Sequence, residues 1–386
     1  MKNVLLASAA VCVLASCETK KPEATGLTAS GLNPAEFESV IDSVQTSLYT
    51  LTNQNGMEVC ITNFGGRIVS IMVPDKNGEM KDVVLGFDNV ATFADKENHP
   101  SDFGAAIGRY ANRIGQGKIT VDGKEIQLPQ NNFGHCLHGG PTGWQYKVYE
   151  VVDATDNCLE LQLVSPDGDN NFPGTVTAKV TYTLKEDNTL DISYEATTDA
   201  PTYINMTNHS YFNLNGDPTV PITNHELFVN ADCYTPVDDT FMTTGEIAPV
   251  EGTPMDFRTA HSVGQDIENF DFEQIKNGNG FDHNWCLNTK GDDTQVCTSL
   301  YCPETGILLE VFTNEPGIQV YSGNFLDGKA VGKKGIAYNQ HAAICLETQK
   351  YPDTPNKSNL EGWPSALLNP GEIYHSHCAY KFSVKD

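Results

Sequence analysis

Two side chains in this sequence stand where acid–base chemistry could use them. His209 lies in the segment TNHSYFNL (207–214), with polar Asn208 before it and aromatic Tyr211 and Phe212 after it. Glu347 follows the apolar run 342–346 and precedes the proline-bearing stretch 351–355. Burying an unpaired carboxylate is costly, so a strand that delivers one to its end places it for solvent or for chemistry. A hydrogen-bonded turn histidine and a solvated strand end are the ordinary readings of the two. Local sequence leaves both open.

Other polar groups cluster at glycine-marked turns. Asn112 and Arg113 sit in GRYANRIGQG (108–117), which also holds Arg109; a structural ion pair is the plain alternative. His138, with His135 nearby, precedes Gly139-Gly140, where the backbone can approach a ligand closely or simply turn. Asp282-His283 follows a Gly-Asn-Gly-Phe run, where a loop carboxylate often accepts local N–H bonds. His375 and His377 would share one face of a strand, but two ligands do not make a metal site. The sequence has no H-E-x-x-H, no phosphate-binding G-x-x-x-x-G-K-[ST] and no dinucleotide fingerprint, so no metal or cofactor is expected.

The elements that must position these groups read as strands. Segments 47–53, 57–63 and 67–73 alternate or nearly alternate, cut by Asn-Gly and Gly-Gly pairs. Residues 118–127 read as a hairpin over Asp122-Gly123, and 148–184 supplies more alternation. The habit continues to a last strand over 374–384. One short helix is expected over Pro34–Gln45, with Phe37, Val40, Ile41 and Val44 on one face. The polar stretch 260–284 reads as a long loop with one helical turn. Strands and turns over this length predict an all-β sandwich or barrel, and no linker or repeat divides residues 34–386.

Bulk properties set the partners. The chain of 386 residues carries 24 basic and 50 acidic side chains, a formal charge of −26. A phosphate backbone would be repelled, so nucleic acid is not an expected partner. At the start, Lys2, an apolar stretch over 4–14 and small Ala15-Ser16 precede Cys17. That pattern resembles a bacterial lipobox and predicts a signal peptide over 1–16, lipid on Cys17 and a polar tether over 17–33. The expected location is extracytoplasmic, with membrane contact through the lipid only. Of eleven cysteines, Cys12 falls in the leader and Cys17 takes the lipid, which leaves nine thiols. Nine is odd, so at least one stays out of any intramolecular disulfide; Cys297 and Cys302 are the pair to examine for a bridge.

Eight segments taken in order resemble the aldose 1-epimerase (galactose mutarotase) family: residues 51–78, 82–89, 103–124, 137–140, 207–214, 280–285, 317–328 and 345–356. The resemblance runs from near Phe37 to the last strand. It implies a large antiparallel β-supersandwich, a carbohydrate cleft, free aldoses as substrates and catalysis without a cofactor. It implies His209 as general acid and Glu347 as general base. Asn112, Arg113, His138, Asp282 and Gln319 would contact the sugar. A charged His209 and an ionised Glu347 would place the pH optimum between their pKa values. A glycoside hydrolase or a carbohydrate-binding surface lipoprotein is the alternative, though a hydrolase normally uses two carboxylates. No obligate protein partner is evident.

Overall fold

Strand alternation is most regular in Val176–Leu184, where every second residue is buried. Such a strand can cover a core with one face and meet solvent with the other. The computed structural model, which describes residues 26–385, builds an all-β fold from strands of this kind. A nine-stranded antiparallel sheet runs from the edge strand Glu150–Ala154 through Val176–Leu184 and the long last strand Tyr374–Val384 to His261–Ser262. A six-stranded antiparallel sheet has Ile344–Gln349, Gly317–Tyr321 and Asp282–Leu287 at its centre. A four-stranded sheet holds Leu48–Thr52, Glu58–Thr62, Arg67–Pro74 and Met80–Asp82.

One continuous apolar core joins all three, from Val180 and Tyr380 through Ile61 to Ile318, Val320 and Leu346. The Tyr380 hydroxyl ties the two larger sheets together by donating to the Leu346 carbonyl (3.3 Å). The strand Ile344–Gln349 is buried along its whole length. Its even-numbered residues Ile344 and Leu346 belong to the core. The alternate set (Cys345, Glu347, Gln349) therefore faces the other way, which is how a sandwich strand can deliver a carboxylate to a cleft.

Several sequence expectations hold. Lys118–Val121 pairs with Lys124–Gln127, and the turn residues Asp122 and Gly123 have φ of 50° and 75°. The 260–284 stretch is irregular in large part, with a 3-10 turn at Val263–Gln265 and a short helix, Glu273–Gly278, but its end is no loop: Asp282–Asn284 open the strand Asp282–Leu287. The helix expected over Pro34–Gln45 does not form. A 3-10 turn, Pro34–Phe37, capped by Asn33, leads into a hairpin of Ser39–Ile41 and Val44–Thr46. Asp42 and Ser43 take positive φ of 49° and 65°, the turn that matches strand twist, and β-branched Val40, Ile41 and Val44 favour extended backbone. Val40, placed on the expected apolar face, is 66% exposed.

Cys297 and Cys302 are both free thiols, lying just before and just after the strand Thr298–Tyr301. Five residues of extended chain span roughly 17 Å, far beyond disulfide reach. His375 and His377 are taken up by carboxylates: Glu195 for the first, Asp191 and Asp293 for the second. Among the described residues no helix is long and apolar enough to cross a membrane. The signal peptide, Cys17 and the tether up to residue 25 lie outside the described residues.

Candidate active site

Three adjacent strands of the six-stranded sheet place one row of polar residues side by side. Asn284 pairs with Gln319, and Gln319 pairs with Glu347. Directly opposed residues share a face, and Asp282, two residues before Asn284, shares it too. Gln319 Nε2 donates to Asp282 Oδ1 (2.7 Å), which fixes the carboxylate's orientation. His209 arrives from a different pair of strands, Thr207–His209 against Ala105–Ile107. Its ring stacks on Tyr211 (5.0 Å) and meets His138 edge-on (5.1 Å).

Arg113, Asn112 and His138 come as a unit. Cys136–Leu137 pairs with Arg113–Ile114, and the two chains stay joined beyond the pairing. The His138 N–H donates to the Asn112 carbonyl (3.2 Å), and the Asn112 N–H donates to His138 Nδ1 (3.1 Å). A backbone N–H can only donate, so Nδ1 is the acceptor and Nε2 carries the ring proton. His138 is thereby fixed as a donor. Asn112 has φ of 64°, and its own Oδ1 accepts from the Arg113 N–H (2.8 Å). Gly139 (φ 78°) lets this turn lie against the neighbouring chain: a Cβ there would meet the Gly108 oxygen at 2.3 Å.

These residues converge on a cleft of about 240 Å³, lined also by Asp102, Asn132, Phe133, Leu137, Tyr211, Tyr321 and Phe325. His209 Nε2 lies 3.5 Å from Glu347 Oε2, with the two residues only 5% and 2% exposed. Buried atoms here without a hydrogen-bond partner among the described residues include Glu347 Oε2, Gln319 Oε1, His209 Nδ1 and both amide atoms of Asn284. Buried polar atoms rarely stay unpaired without a functional reason.

Burial governs the proton affinities. It pushes His209 below its ordinary value, opposed mainly by Asp102. It pushes Glu347 well above its own, helped by Asp282 and Asp102 and opposed by Arg113. Burial likewise raises Asp282, against the pull of Arg113 and Gln319, and lowers His138 to about 3. Burial therefore favours imidazole and carboxylic acid over the charged pair that the family resemblance implies. Both forms hold one proton, so either can supply one donor and one acceptor.

All seven side chains singled out from the sequence for this site come together, with Gln319 reaching it through Asp282. Arg109 does not. Its guanidinium donates to the carbonyls of Pro173 and Gly174 and to Ser165 Oγ (2.7 Å), pinning the two ends of the 165–174 loop together. Sequence reasoning missed Asp102, Asn132 and the aromatic side chains at the mouth. Phe133, Phe241 and Phe325 form a chain of ring contacts at 5.3 and 5.5 Å, although Phe133 and Phe325 are more than half exposed. An aromatic held between Asn132 and Gly134 was the available signal.

Fold and site together define a β-sandwich protein whose cleft holds a buried histidine–glutamate pair beside Arg113, His138 and the carboxylates of Asp102 and Asp282. Residues 47–381 match the family model described as aldose 1-epimerase. A galactose mutarotase of Rattus norvegicus is 42% identical over 328 residues, 85% of this chain and 92% of that protein. An aldose 1-epimerase of Escherichia coli is 36% identical over 338 residues, 87% and 94% of the two chains. The crystal structure of an aldose epimerase homologue from C. elegans superposes with a TM-score of 0.81 at 31% identity, covering 88% of this chain and all of that one. The chain belongs to the aldose 1-epimerase family of isomerases.

Proposed function

We propose that the protein interconverts the α and β anomers of free aldoses such as glucose or galactose. The observation that carries this reading is the His209–Glu347 contact, buried in a sugar-sized cleft with unpartnered atoms on both residues. Ring opening needs one proton taken from the C1 hydroxyl and one given to the ring oxygen. The C1–O5 bond then breaks to leave an aldehyde and a C5 hydroxyl. Glu347 as carboxylate takes the first proton and His209 as imidazolium delivers the second. Rotation about C1–C2 exposes the other carbonyl face, and closure reverses both transfers.

The remaining residues prepare this exchange. Arg113 opposes the upward push on Glu347 and so favours the carboxylate. His138, fixed with its proton on Nε2, donates to a sugar oxygen. Asp282, held by Gln319, accepts from sugar hydroxyls, and Asn112 and Arg113 complete the polar wall. Paired proton transfers of this kind contribute roughly 10²–10⁴-fold each, which suits a reaction with a modest uncatalysed barrier. The test is polarimetry on freshly dissolved α-D-glucose and α-D-galactose. The expected result is rotation decaying much faster than in buffer. Decay at the buffer rate would sink the proposal, and release of product from an aryl glycoside would favour a hydrolase.

The leader and Cys17 further support an extracytoplasmic protein tethered by lipid. Incorporation of labelled palmitate is expected in the full chain and not in Cys17→Ser. A membrane fraction free of label would overturn the anchor.

A further inference from the structure

His209 and His138 share a third neighbour that the acid–base scheme leaves unused. One carboxylate oxygen of Asp102 and one ring nitrogen from each histidine all lie within 4.8 Å of one another. Backbone bonds hold Asp102 in this place. Its carbonyl accepts from the Ala105 N–H (3.0 Å), and Ala105 is the register partner of His209. The Gly104 N–H donates to the His209 carbonyl (2.9 Å), and the Phe103 ring packs edge-on against Tyr211 at 4.7 Å. The segment carrying Asp102 is thus bonded directly to the strand carrying His209. Both histidines are buried, while Asp102 is only half-buried.

Two histidines and an aspartate suggest a cation site, but the ring tautomer argues otherwise. His138 Nδ1 accepts from the Asn112 N–H, so its Nε2 carries the proton and has no lone pair to offer a metal. His209 and Asp102 alone would be two ligands, too few for a site. What remains is a carboxylate beside a histidine that must carry charge during turnover.

We propose that Asp102 is a positioning residue for the epimerase reaction, its carboxylate stabilising the His209 imidazolium that protonates the ring oxygen. The inference rests on His209 being the acid. The groups facing His209 are Glu347 at 3.5 Å, Tyr211 stacked, His138 edge-on, Arg67 and Asp102. Of these, Asp102 pushes the proton affinity of His209 up while burial and Arg67 push it down. Asp102 also pushes Glu347 up. A single carboxylate therefore biases both members of the pair toward holding protons.

The test is the full chain with Asp102→Asn, assayed by polarimetry across pH beside Asp102→Glu and His209→Asn. Expected for Asp102→Asn is a kcat lower by about tenfold, KM changed by less than about twofold, and both limbs of the pH profile moved acidward by roughly one pH unit. Asp102→Glu keeps the charge and is expected to restore the limbs. Unmoved limbs with normal kcat overturn the proposal. So does a rise in KM alone, which marks a sugar contact, or a kcat loss with unmoved limbs that Asp102→Glu shares, which marks a structural role. Normal turnover by His209→Asn overturns the acid assignment itself. Loss in His209→Asn with Asp102→Asn unaffected overturns only the role of Asp102.

Discussion

At the scale of single residues, the site works through protons held by burial. In the proposed scheme the His209–Glu347 pair works with one proton on it, as imidazolium–carboxylate. A second proton adds on the acid side, where His209 lies below its ordinary 6.5. The last proton leaves on the alkaline side, where Glu347 lies well above its ordinary 4.5. The predicted kcat/KM profile therefore has its acid limb below pH 6.5 and its alkaline limb well above pH 4.5. An acid limb at or above 6.5, or an alkaline limb near 4.5, in rate measurements would contradict these environments. Local sequence left His209 and Glu347 as open candidates, and the family-like segments around them singled out the pair; the structure places His209 in the strand Thr207–His209 and Glu347 inside Ile344–Gln349, not in a turn and at a strand end. Their proton affinities were not legible. Those depend on desolvation and on Asp102 and Arg113, which approach from other parts of the chain.

At the scale of elements, the cleft depends on how closely a turn can approach a strand. Gly139 has φ of 78°, and a Cβ there would fall 2.3 Å from the Gly108 oxygen. Gly139→Ala is expected to cost about 1–3 kcal/mol and to displace His138. Urea unfolding should show the stability loss, and turnover should fall with it. A variant of unchanged stability and activity would mean that the turn tolerates displacement. Alternation made the strands and the 118–127 hairpin readable, since period-2 burial needs no knowledge of the partner strand. The segment 34–45 was misread because its apolar residues fit a helical face on paper. The left-handed Asp42-Ser43 turn decided otherwise, and a turn of that kind is weakly coded by Asp-Ser. Likewise the strand Gly317–Tyr321 was readable from its alternation, but Asp282–Leu287 was not, its first residues falling in the polar stretch expected as a loop, nor was the register that lines up Asn284, Gln319 and Glu347.

At the scale of the whole molecule, buried histidines couple stability to pH. His225 is buried, its Nε2 accepting from the Leu214 N–H (2.8 Å), and burial lowers its pKa to about 3. The unfolded chain protonates this ring near 6.5 while the folded chain refuses the proton, so stability is full above 6.5 and declines as pH falls toward 3. His225→Gln should reduce that slope by about 1.4 kcal/mol per pH unit, read from urea unfolding at several pH values; an unchanged slope would show that the ring is protonated in the fold. The net charge of −26 is compatible with a neutral substrate. His209 and Glu347 come from different sheets, so their meeting is a property of the assembled sandwich. The most direct measurement is anomer interconversion by Glu347→Gln, followed by polarimetry, with aldose binding followed by calorimetry. The account predicts turnover lowered by roughly 10²–10⁴-fold with binding retained. Near-normal turnover in that variant would contradict it.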